Sequence, residues 1–247
     1  MDLRLDRLSP AVRAKAAPFL EELARVAGGD LHSLYVVGSA VTPDWVEGRS
    51  DINTLLVLRQ MDLAVLEAIG PLGKRHRRAG VAPPLVLDTG YIAASLDVFP
   101  MEFLELRLIH ETVAGEDLLA GLAIGRADLR RQCEREVKSR LVGLRQAYLR
   151  SLGEPKELAA ALVHFLAGYQ PLARGILSLL GREVPVRRAE AFAALAAAVG
   201  PDAGVFAEVL AVKEGRAKPD ADGVRELFER CHRATEQLGR AVDALAV

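Results

Sequence analysis

Cysteine, aromatic side chains and excess charge are all scarce in this sequence, and each scarcity excludes something. Only two cysteines, Cys133 and Cys231, occur in 247 residues. Two thiols so far apart argue against a disulfide framework or a zinc cluster and for a reducing compartment. Each reads most simply as a small core or surface residue. Aromatic residues make up 5% of the chain, too few for a base-stacking platform. Lysine and arginine number 32 against 33 acidic residues, a formal net charge of -1. No broad positive field is therefore available to hold a nucleic acid. No apolar run approaches bilayer length, and the alanine-rich stretch from Ala189 to Val199 reads as a buried helix. The opening MDLRLDRLSP alternates charged and apolar residues without the apolar core of a signal peptide. These absences predict a soluble, cytoplasmic protein with no membrane partner and no nucleic-acid partner.

What is present is apolar bulk: 51% of residues are hydrophobic, enough for one large core or two modest ones. Ser9-Pro10 has the form of a helix cap followed by proline at the first helical position. Val12, Ala16, Phe19, Leu20, Leu23 and Val26 then recur at helical spacing until Gly28-Gly29. Leu34 to Val37 and Ile52 to Leu58 are continuous apolar runs of the kind buried on both faces of a sheet. Asp62 can cap a helix carrying Leu63, Leu66 and Ile69, disturbed at Gly70-Pro71 and ending in Lys74 to Arg78. Pro83-Pro84 opens a third β run, Leu85 to Leu87, and a fourth, Arg107 to Ala114, closes this part. From about Ala127 the periodicity is helical alone. Leu129, Cys133, Val137, Leu141, Leu144 and Tyr148 form one stripe, and Leu158, Leu162, Phe165, Leu166 and Tyr169 form the next, with a kink expected at Pro171. Further helices are expected over 186–199, 203–213 and 222–245. The predicted fold class is a small mixed α/β sheet domain over 1–120, followed by an all-α helical bundle over 127–247.

One stretch carries chemistry: Val37-Gly38-Ser39, a loop, then Ser50-Asp51-Ile52-Asn53 leading into Thr54 to Leu58. It resembles the nucleotidyltransferase superfamily, the fold of kanamycin nucleotidyltransferase and polymerase β. The family pattern is a strand, Gly-Gly or Gly-Ser, a gap of this size, and acidic-hydrophobic-acidic on the next strand. The resemblance covers most of residues 31–120. It implies a Mg2+-dependent site for ATP or another nucleoside triphosphate, and a small-molecule or protein acceptor hydroxyl. Alternate strand residues face one way, so acidic-x-acidic offers two carboxylates to hard cations. A Gly-Ser turn lets phosphate approach the backbone closely. By resemblance Gly38, Ser39 and Ser50 would bind nucleotide and Asp51 would be the first metal ligand.

Here the sequence departs from the pattern. Asn53 stands at the second ligand position and brings no charge. On the third strand, Pro84 or a neighbouring apolar residue occupies the place of the third acid. Asp88 as a metal ligand and Asp97 as a base are the nearest substitutes. Glu102, Glu105 and Glu111 help only if the chain folds them back toward Asp51. The expectation is a nucleotide-binding frame with a weakened Mg2+ site, catalytically weakened or inactive. The alternatives are an active transferase and a purely structural or interaction role. Lys74 to Arg78 reads first as the solvated end of a helix, and Arg130, Arg131 and Arg145 as the wet face of another. Arg225 and His232 match an arginine-spacer-histidine pattern of helical ribonucleases that an arginine-rich chain meets by chance. His32, His110 and His164 are isolated and read as structural. The sequence leaves a homodimer open.

Overall fold

A computed structural model describes residues 2–246. The chain divides into two compact units, Met1–Ile124 and Gly125–Val247. In the first, helix α1 (Pro10–Ala27) precedes strand β1 (Leu31–Val37), and strand β2 (Asn53–Leu58) follows a loop. Helix α2 (Leu63–His76), strand β3 (Leu85–Asp88), helices α3 (Thr89–Ser95) and α4 (Pro100–Leu108), and strand β4 (His110–Gly115) complete it.

The local reasons are those read from the sequence. The Ser9 hydroxyl accepts from the Val12 N–H at 3.4 Å, and Pro10 opens α1. Asp62 caps α2, accepting from the Ala64 N–H at 2.9 Å. Helix α2 is not interrupted at Gly70-Pro71, and the second unit's α6 is not interrupted at Pro171. The carbonyls that each proline frees, on Glu67 and Ala167, belong to exposed residues, where solvent can take them.

The sheet has order β3-β2-β1-β4, antiparallel except for the parallel β2–β3 pair. Both faces are covered. Leu34, Val36, Leu56 and Leu58 pack with Phe19, Leu20 and Leu23 of α1 and with Ile69 and Leu72 of α2. On the other face Tyr35, Val37, Leu55 and Val57 pack with Ile92 of α3, Phe103 of α4, Leu119 and Leu122. Double coverage explains the unbroken apolar runs of β1 and β2. One expectation is corrected here: Arg107 and Leu108 end helix α4 and do not begin a strand.

The second unit is helical: α5 (Arg126–Ser151), α6 (Pro155–Leu179), α7 (Arg188–Val199), α8 (Val205–Lys213) and α9 (Ala221–Asp243). Leu129, Cys133, Val137 and Leu144 are buried along α5, but Tyr148 is exposed and Ala147 takes its place in the core. Tyr169 is buried, stacks on Phe206 at 4.3 Å between ring centres, and shares a 2.5 Å hydrogen bond with the Thr235 hydroxyl. No helix among the described residues is long and apolar enough to cross a membrane.

Candidate functional site

The candidate site lies where β1 ends. Val37, its last residue, pairs with Asn53 on one side and His110 on the other. Gly38 follows at φ +72°, in the left-handed region that favours glycine, and opens a single short turn, Gly38–Val41. A Cβ at Gly38 would lie 4.0 Å from the Asn53 amide nitrogen, so turn and amide adjoin. The Gly38 N–H is already committed, donating to the Ile109 carbonyl at 3.1 Å. The Ser39 carbonyl accepts from the Thr42 N–H at 3.0 Å and from its hydroxyl at 3.1 Å. The Gly38 amide is therefore not available to a ligand at this turn.

Strand β3 completes the wall. Its Leu85 pairs with Leu55, and before it Val81 bridges Ile52, so Pro83 lies in the segment that runs beside Asn53. Pro83 and the half-exposed Leu85 line a cavity of about 330 Å³ together with Val37, Gly38, Asn53 and Glu105. The third-strand positions at this end are thus apolar. The one carboxylate lining the cavity is Glu105 of α4, one helical turn before Ile109, whose N–H donates to the Glu105 carbonyl at 2.9 Å.

The other anticipated residues do not line that cavity. Asp51 is exposed and lines a different cavity, of about 220 Å³, with Arg49, Arg77 and Arg78. Ser50 lines that second cavity too, and its hydroxyl accepts from the Val46 N–H at 3.1 Å, closing the loop. Asp88 pairs with Leu58, five residues along β2 from Asn53, or roughly 16 Å at strand rise. It caps α3 instead, accepting from the Tyr91 N–H at 2.7 Å. Asp97 lies exposed in the turn between α3 and α4. Glu111 pairs with Arg7 at 3.2 Å. The structure thus brings Gly38 and Asn53 together and adds Glu105. It does not bring Asp88 to them.

Behind the site, Tyr35 is fully buried, and burial raises its hydroxyl's pKa above the ordinary value. That hydroxyl donates to the Glu116 carbonyl and accepts from the Leu118 N–H, both at 2.9 Å. His110 packs edge-on against the Tyr35 ring and bonds the Leu106 carbonyl at 2.7 Å and the Asp117 carboxylate at 3.0 Å. Both side chains serve to hold α4 and the segment after β4 beneath the sheet.

No protein-family model matches the chain, and no curated protein sequence does. Among solved structures it is similar to spectinomycin adenyltransferase AAD(9) from Enterococcus faecialis, with ATP and spectinomycin. The TM-score is 0.53 at 12% identity, over 91% of this chain and 98% of that one. The fold is nucleotidyltransferase-like.

The donors that this fold brings together here do not fit a pair of magnesium ions. Such a site needs several hard anionic oxygens converging on one place. Among the described residues no group of three or more His, Cys, Asp or Glu side chains is placed to hold a metal ion. Asn53 offers a neutral amide, Pro83 and Leu85 offer nothing, and Asp51 lines the arginine-bearing cavity. In the helical unit, His232 accepts from the Arg145 Nε–H at 3.2 Å in a groove of about 560 Å³. Arg225 pairs with Asp222 at 3.8 Å instead. The arginine-histidine pattern of α9 is therefore not assembled into one constellation.

Proposed function

We propose that this chain is a nucleotidyltransferase-like protein that binds ATP or another nucleoside triphosphate at the Gly38–Ser39 turn and performs transfer weakly or not at all. The observation that carries the reading is the wall facing that turn. Asn53 lies beside Gly38, and Pro83 and Leu85 occupy the third-strand positions where a carboxylate would be needed. A nucleotide held there gains contacts to Ser39 and apolar surface from Val37 and Leu85. It lacks the negative charge that would retain Mg2+ beside its phosphates. The similar spectinomycin adenyltransferase was determined with ATP, which supports the choice of nucleotide. Calorimetric titration of the protein with ATP, in Mg2+ and in EDTA, tests this. Binding that differs less than about twofold between the two conditions is expected. No binding in either condition removes the nucleotide reading and leaves a structural role.

Glu105 favours a second reading, an active transferase moving a nucleotide to a hydroxyl of a small molecule or protein. Its carboxyl is the one acidic group lining the Asn53 cavity, and it could take the proton of an attacking hydroxyl. Incubation with radiolabelled ATP and candidate acceptors separates the readings. Turnover at ordinary enzyme rates that Glu105→Gln abolishes would favour this second one.

A further inference from the structure

The α/β unit has a second cavity, and four of its ten lining residues are cationic. Lys15 comes from α1, Arg49 from the β1–β2 loop, and Arg77 and Arg78 from the short turn after α2. Asp51 is the one carboxylate among the lining residues. Among the neighbours, Arg75 pairs with Glu22 at 2.6 Å and His76 bonds the same carboxylate at 3.3 Å, and of the lining cations Lys15 pairs with Glu47 at 3.1 Å. Arg49, Arg77 and Arg78 make no ion pair among the described residues. Against the single carboxylate of Asp51, three guanidiniums around a space of about 220 Å³ leave an excess of positive charge that a further anion would offset.

The backbone holds this arrangement in place. The Ile52 N–H donates to the Gly80 carbonyl at 2.8 Å, and the Ala82 N–H donates to the Ile52 carbonyl at 3.0 Å. These bonds tie the segment carrying Arg49 and Asp51 to the turn carrying Arg77 and Arg78. Gly48 at φ +76° and Gly80 at φ +80° supply the left-handed residues both turns require. Trp45 also lines the cavity, and its indole N–H is enclosed without a hydrogen-bond partner among the described residues. An enclosed donor without an acceptor is unfavourable, and an anionic oxygen would satisfy it.

We propose that this cavity binds a small phosphate-type polyanion, at a site separate from the Gly38–Asn53 cavity. Arginine's planar fork matches phosphate oxygens two at a time. The volume lies below the roughly 300 Å³ at which pockets begin to enclose whole drug-sized ligands. It therefore suits inorganic pyrophosphate, or the phosphate end of a nucleotide whose nucleoside stays outside.

Trp45 is the chain's single tryptophan and lines this cavity, so its fluorescence is a probe of it, and the arginine variants separate that response from changes at the Gly38 turn. The full chain is titrated with pyrophosphate in EDTA at constant ionic strength. A saturable change in emission is expected, weakened about tenfold or more in Arg77→Ala/Arg78→Ala and partly restored in Arg77→Lys/Arg78→Lys. Both arginines are exposed, so the variants should fold, and circular dichroism checks this. A parallel titration with ATP separates the two sources: an equal, arginine-dependent response assigns the site to a nucleotide's phosphates, and a response to pyrophosphate alone assigns it to the free anion. An emission change that never saturates, or saturates equally in the alanine variant, overturns the proposal. Calorimetric ATP binding that survives Arg77→Ala/Arg78→Ala while the Trp45 response is lost keeps the nucleotide reading and this one distinct.

Discussion

At the scale of single residues, one amide-for-carboxylate difference bears most of the functional reading. Asn53 is exposed, pairs with Val37 and adjoins Gly38. Asn53→Asp adds a unit charge there with almost no change in volume. The variant should bind ATP about tenfold or more tightly in Mg2+ than in EDTA, because the new carboxylate attracts the cation and repels the bare triphosphate. Calorimetry under both conditions checks this, and a tenfold Mg2+ dependence already in the natural protein would sink the charge-deficit argument. Gly115 is a second residue where geometry dictates identity. It sits at φ +74°, and a Cβ there would fall 2.0 Å from the His32 carbonyl oxygen, in the backbone of the neighbouring strand. Gly115→Ala should lower stability by about 3 kcal/mol or more, read as an earlier urea midpoint for the α/β unit.

At the scale of elements, the helix least visible in the sequence supplies the cavity's carboxylate. Helix α4 carries Glu105, yet the run from Arg107 to Ala114 reads as one β segment. The signals that locate α4 are short: Pro100 at the first helical position and Glu102 in the first turn. Asp88 shows the same confusion of roles, since an acid at a strand's end serves as a helix cap as readily as a ligand. The junction of α5 and α6 offers a test of local strain. Leu152 takes φ +51° with its side chain 89% exposed, the only non-glycine residue in the left-handed region among the described residues. Leu152→Gly should relieve that conformation without losing packing and raise stability by about 1 kcal/mol. Denaturant unfolding of the helical unit measures it, and an unchanged or lower midpoint counts against the strain.

At the scale of the whole molecule, each unit has its own core, and that of the helical unit holds both thiols. Both cysteines, Cys133 and Cys231, are buried and free in the helical unit. Burial pushes both thiols up to about 12 from an ordinary value of about 9. Burial raises the Tyr169 hydroxyl too. A thiol that keeps its proton to higher pH when folded leaves the unfolded chain with fewer bound protons above pH 9. Stability is therefore fully present below about pH 9 and falls between about pH 9 and 12, by about 1.4 kcal/mol per pH unit for each thiol. Guanidinium unfolding followed by helical circular dichroism at pH 8, 9.5 and 10.5 should show that slope. Cys231→Ala should flatten it by one thiol's share, and a slope unchanged in that variant would refute the assignment.

Local chemistry was legible in the sequence alone. Ser9-Pro10 capping α1, Asp62 capping α2, the doubly covered runs of β1 and β2, the Gly38 turn and the neutral Asn53 all depend on residues within a few positions of one another. The tertiary structure decided which distant residues meet. The offset of β3 against β2 set Leu85 opposite Leu55, left Pro83 and Leu85 lining the Asn53 cavity, and carried Asp88 to the far end. The turn after α2 brought Arg77 and Arg78 to Asp51, and the packing of α4 brought Glu105 to Asn53. Strand pairing and helix docking are set by burial summed over whole faces, so no spacing along the chain encodes those meetings.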